Sequence, residues 1–181
     1  MSWKLYAVLA ALGIVVALSG CAAVKKDGSP VGKMDGAIPV PAAVRSECRW
    51  NHVDELGPLQ FQKAPRDFTA FHTGWHRLAF CPEGTLDVNV LEYDGPEESR
   101  KAVDALLRSI PVDSPAVELS GSCAGKGLRL FKVKETGGGE LYVTVWRDGN
   151  KLNFVEEETS PKYPGDALKR IRSFLEGYAC R

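Results

Sequence analysis

From Thr85 to Tyr93 apolar and polar positions alternate, with Leu86, Val88 and Val90 set against Asp87 and Asn89. That period of two predicts a half-buried strand. Asp94-Gly95-Pro96-Glu97-Glu98 then predicts a helix start, with proline at the first helical position and two carboxylates at the positive end of the dipole. Val103, Leu106, Leu107 and Ile110 recur at helical spacing, Glu97/Lys101 and Asp104/Arg108 are i,i+4 pairs on the wet side, and Pro111 ends the helix. Leu128 to Lys134 predicts a second strand, with Phe131 and Val133 inward and Lys132 and Lys134 outward. Gly137-Gly138-Gly139 loops into a third strand, Leu141 to Trp146. Asp148-Gly149 predicts a type I′ hairpin, both central residues at positive φ, leading into a fourth strand from Lys151 to Val155. Pro164-Gly165-Asp166 opens a final helix with Leu168, Ile171, Leu175 and Tyr178 on one stripe. Residues 44–83 hold Trp50, Phe61, Phe68, Phe71, Trp75 and Phe80 without steady period. They read as a short helix or strand, then a long loop over one end of the sheet. The order strand–helix–strand–strand–strand–helix predicts an α+β domain: an antiparallel or mixed four-stranded sheet with two helices on one face.

Upstream the pattern changes. Leu5 to Leu18 is an almost unbroken apolar run without charge, following a short start that carries Lys4. A signal-peptide core runs ~7–15 residues and a membrane-spanning helix ~20, so this run predicts a signal. It ends in Leu18-Ser19-Gly20-Cys21. This stretch resembles the lipobox of bacterial lipoproteins, whose pattern is Leu, Ala or Ser, Gly or Ala, then Cys. The resemblance implies a thioether-linked diacylglycerol on Cys21, cleavage after Gly20 and often acylation of the new amine. It also implies sorting: Ala22 rather than Asp after the lipidated cysteine points to the outer membrane of a Gram-negative cell, facing the periplasm, with the cytoplasmic membrane as the alternative. One acyl chain binds a bilayer marginally, whereas two or three hold firmly. Residues 1–20 are thus expected to be a signal peptide. Residues 21–43, with Lys25-Lys26-Asp27-Gly28-Ser29-Pro30 and Pro39-Val40-Pro41, read as the lipidated cysteine and a flexible tether, and 44–181 as one periplasmic domain.

Cysteine count fits an exported protein. Setting Cys21 aside leaves Cys48, Cys81, Cys123 and Cys180, an even number that suggests two disulfides in an oxidising compartment. Four cysteines allow three connectivities; Cys48–Cys81 with Cys123–Cys180 would staple the N-terminal segment and the last helix. Charge adds little. The chain has 23 Lys plus Arg and 23 Asp plus Glu, and losing residues 1–20 removes only Lys4. A near-neutral domain has no field to draw it to nucleic acid.

Three segments invite chemistry. Gly121-Ser122-Cys123-Ala124-Gly125-Lys126-Gly127 has a faint phosphate-loop outline but no Ser/Thr after the lysine for magnesium. It also contains Gly-x-Cys-x-Gly, the outline of a nucleophile elbow, yet here Cys123 precedes a strand instead of following one. His72 and His76 stand at i,i+4, with His52 as a third candidate ligand, but Gly74 between them weakens the helix that zinc chelation needs. Glu156-Glu157-Glu158 reads as a solvated strand end. No catalytic residue, metal or cofactor is therefore expected. Tyr142 and Trp146 lie opposite Leu141, Val143 and Val145, and form either core or an exposed recognition patch. The leading expectation is a non-enzymatic envelope lipoprotein, joined to the membrane by its lipid and binding an envelope protein or cell-wall component. The alternatives are a Cys- or metal-dependent envelope hydrolase and a carrier of a small apolar ligand.

Overall fold

The computed structural model describes residues 36–61, 64–110, 123, 128–134, 140–160 and 167–180. In chain order these form α1 (Ala42–Arg45), β1 (Arg49–Trp50), β2 (Asp54–Leu56), a 3-10 turn (Pro58–Phe61), α2 (Arg66–Thr69), β3 (Thr73–Cys81), β4 (Gly84–Glu92), α3 (Pro96–Ser109), β5 (Arg129–Lys134), β6 (Glu140–Asp148), β7 (Lys151–Thr159) and α4 (Ala167–Tyr178). The strands make one sheet in the order β1-β3-β4-β7-β6-β5, with β2 also on the outer side of β3. Every pairing is antiparallel.

The α+β class and the antiparallel sheet agree with the sequence pattern, but the expected element count does not. Among the described residues the sheet has seven strands rather than four, and there are four α-helices rather than two. Three of the strands come from residues 49–81, the stretch expected to be mostly loop. In β3 the positions facing one side are Gly74, His76 and Leu78, so a glycine and a histidine occupy slots where alternation would show an apolar residue. The buried pattern is present; its residue types conceal it.

The helices also lie on both faces, not one. On the first face Ala102 and Leu106 of α3, with Ile110 just beyond its end, pack over Leu91, Leu141, Val143, Val145, Leu152 and Phe154, together with Phe61, Phe68 and Phe71. On the second, Ala167, Ile171, Phe174 and Leu175 of α4 cover Leu86, Val88, Val90, Leu130 and Val155. The reason is that the central strands are apolar on both sides, so a single helical layer would leave one side wet. Each buried large side chain adds roughly 1.5–3 kcal/mol, which makes two cover layers the stable solution.

Local signals place the ends. Ile110 leaves the helix with φ −72° and ψ 124°, the extended conformation that the following proline demands. The β6–β7 hairpin sits one residue later than expected: Asp148 pairs with Lys151, and Gly149 takes φ 59° while no described non-glycine residue has positive φ. A first central glycine with an ordinary second residue is the type II′ pattern, not type I′. At the β3–β4 turn Gly84 lies so close to β7 that a Cβ there would sit 1.8 Å from the Glu158 carbonyl oxygen. Disulfides join Cys48 to Cys81 and Cys123 to Cys180, tying the entry of β1 to the end of β3 and the approach to β5 to the end of α4.

Candidate functional site

One candidate binding site lies where the C-terminal end of α4 meets β6 and β7. A cavity of about 350 Å³ is lined there by Leu128, Trp146, Arg147, Asp148, Asn153, Tyr178 and Ala179. Trp146 and Asn153 are direct cross-strand partners on the α4 side of the sheet. Tyr178 reaches them from the last turn of α4, its ring edge-to-face with Trp146 at 6.0 Å and stacked on Phe174 at 5.1 Å. Burial, with the negative charge of Asp148 adding to it, pushes the Tyr178 phenol up to about 12, so its hydroxyl stays neutral and able to donate. Asn153 is 5% exposed. Among the described residues its amide, the Trp146 indole N–H and the Tyr178 hydroxyl make no side-chain hydrogen bond. None of these atoms is sealed from solvent, so all three are open to whatever enters the cavity.

A second buried polar group lies on the same face, further along β7. Arg170 of α4 donates from Nε to Glu157 Oε1 at 2.6 Å and from Nη1 to Glu83 Oε2 at 2.9 Å. Glu157 is fully buried, and its Oε2 has no partner among the described residues. Burial raises its pKa to about 7 against the opposing pull of Arg170, with Glu83 and Glu47 adding to the rise. Glu83, Arg170, Glu47, Lys169, Pro82 and Ser173 also line a cavity of about 340 Å³.

The opposite face carries a third group. His76 Nε2 lies 2.8 Å from Asp87 Oδ1, which also accepts from Asn89 Nδ2 at 3.0 Å. Burial pulls the imidazole pKa down, but the hydrogen bond and charge of Asp87, with the charge of Asp54, outweigh it and the net shift is upward. No serine or cysteine is hydrogen-bonded to this pair among the described residues.

Several sequence candidates fall elsewhere. Gly20 and Cys21 lie outside the described residues, as do positions 121, 122 and 124–127 around Cys123. Cys123 itself is disulfide-bonded, so its sulfur is no thiolate nucleophile. His72 and His76 are not on a helix: His72 precedes β3 and pairs with exposed Asp94, while His76 is buried. Four residues of extended chain separate them by about 13 Å, too far to share one ion. His52 is exposed between β1 and β2. The acidic run is no strand end, because β7 continues through it to Thr159 and the pleat turns Glu157 inward. Tyr142 and Trp146 form no exposed patch; at 5% and 7% exposure they are covered by α4. Trp146 nonetheless borders the cavity. Asn153 and Arg170 belong to no motif, while Glu157 shows in the sequence only as part of the acidic run and Tyr178 only as a position on the helix stripe.

No family model matches the chain, and no curated protein matches it. Among solved structures it is similar to the extracellular domain of PknH from Mycobacterium tuberculosis, at 9% identity and a TM-score of 0.45, covering 83% of this chain and 90% of that one. No helix among the described residues is long and apolar enough to cross a membrane.

Proposed function

We propose that this protein is a non-enzymatic binding module of the bacterial envelope, lipidated at Cys21, held on the periplasmic side of a Gram-negative outer membrane and engaging an envelope protein or cell-wall component through the cavity beside α4. The observation that carries the reading is the convergence of the Asn153 amide, the Tyr178 hydroxyl and the Trp146 indole N–H, all without a protein partner among the described residues, on the wall of one cavity. A concave site with a few convergent polar groups beside aromatic rings is the usual form of a binding pocket. The lipobox and the two disulfides support the compartment. The cavity's polar lining argues against a carrier of apolar ligands, and the Cys123–Cys180 bond argues against a thiol hydrolase. Mild crosslinking in intact membranes, followed by detergent extraction, tests the reading. Wild type is expected to retain an envelope component that Asn153→Ala and Tyr178→Phe release while keeping their thermal stability. Equal retention by all three proteins would refute it.

A further inference from the structure

Resting on that reading, we infer that the cavity between α4 and the β6–β7 hairpin is a saccharide subsite, taking one or two neutral sugar rings of an envelope glycan. Three features of the site point to this chemistry together. Its volume, about 350 Å³, falls at the small end of the ~300–1,000 Å³ range of small-molecule sites. Its unpaired groups are of mixed character: the Asn153 amide donates and accepts, the Tyr178 hydroxyl does both, and the Trp146 indole only donates. A sugar's vicinal hydroxyls, each donor and acceptor at once, match that set, while its C–H groups suit the electron-rich ring surfaces of Trp146 and Tyr178.

Charge narrows the class further. Of the two charged residues on the lining, Arg147 directs its guanidinium to the Pro96 carbonyl at 3.0 Å, on the α3 side. Asp148 is left at the rim, an acceptor for hydroxyl groups and a repellent for anions. Phosphate and carboxylate ligands are therefore disfavoured, and neutral ones are not.

Titration of the detergent-solubilised full-length protein with cellobiose and chitobiose, followed by tryptophan fluorescence and by the Asn153 side-chain amide NMR signals, tests this. Millimolar or tighter saturable binding is expected, weakened at least tenfold by Asn153→Ala and by Tyr178→Phe, with glucuronate binding more weakly than glucose. Failure of both disaccharides to shift the Asn153 amide overturns the saccharide assignment, and so does binding that both variants leave unchanged. If the membrane crosslinks still depend on Asn153 in that case, the binding-module reading stands and only the ligand class falls. If those crosslinks are also indifferent to Asn153, both readings fall.

Discussion

Arg170 of α4 grips Glu157 of β7 from one side only: two guanidinium nitrogens approach Oε1, at 2.6 and 2.5 Å, and Oε2 has no partner among the described residues. The pair crosses the interface between the last helix and the sheet, so its protonation bears on how firmly α4 is seated.

That geometry fixes a pH dependence. The folded-state pKa of Glu157 lies at about 7 against an ordinary 4.5, so the native state holds a proton that the unfolded chain has released. The resulting stability is present below about pH 4.5 and is lost as pH rises through 7. His76 works in the same direction, since its raised pKa contributes stability below 6.5 that disappears as pH climbs past its folded value. For Glu157 alone the loss is about 3 kcal/mol. Melting temperature is thus expected to fall by several degrees from pH 5 to pH 8, and Glu157→Gln should flatten much of that slope. A wild-type stability that rises over this interval would mean that the carboxylate is ionised in the fold.

Gly84 is expected to tolerate no side chain. Its substitution by alanine drives a Cβ into the β7 backbone at Glu158 and forces the two central strands apart. A loss of about 2–4 kcal/mol is expected. Gly36→Ala, where a Cβ meets nothing within 4 Å, is the matched control and should leave chemical denaturation unchanged.

Thiol titration of the unfolded, unreduced protein should find Cys48, Cys81, Cys123 and Cys180 all oxidised. The sequence separations of 33 and 57 residues make each bond worth about 4 kcal/mol by loop-closure entropy. A free thiol mapping to Cys123, with an activity lost in Cys123→Ser, would reinstate the hydrolase.

The anchor is tested at Cys21. Mature protein from membranes should carry the mass of two or three acyl chains, and Cys21→Ser should accumulate as uncleaved precursor. An unmodified Cys21 in membrane-extracted protein would remove the basis for the localisation.

How much of this was legible beforehand follows from where the information sits in the chain. Alternation in Leu86–Val90 and helical spacing in Val103–Ile110 are local, and they marked β4 and α3 correctly. β3 escapes the pattern because Gly74 and His76 fill buried slots, the first under Leu91, Leu56 and Phe71, the second against Asp87. Trp146 was visible as an aromatic on the less obvious sheet face. Asn153 was not, because a polar residue between Leu152 and Phe154 reads as solvent-facing until α4 is known to cover it. Glu157 was hidden the same way inside an acidic triplet, its burial decided by Arg170 thirteen residues later. Side chains whose setting depends on a second layer leave no mark in a one-dimensional pattern.

The most direct test of an anchored module that binds through this cavity is a comparison of two photo-reactive positions in living cells. One replaces Ala179 at the cavity rim and the other Arg108, exposed on the outer side of α3. Illumination is expected to yield a discrete adduct with an envelope component from position 179, lost when Asn153→Ala is added, and none from position 108. Equal adducts from both positions, or none from position 179 in protein that is membrane-bound and folded, would contradict the account.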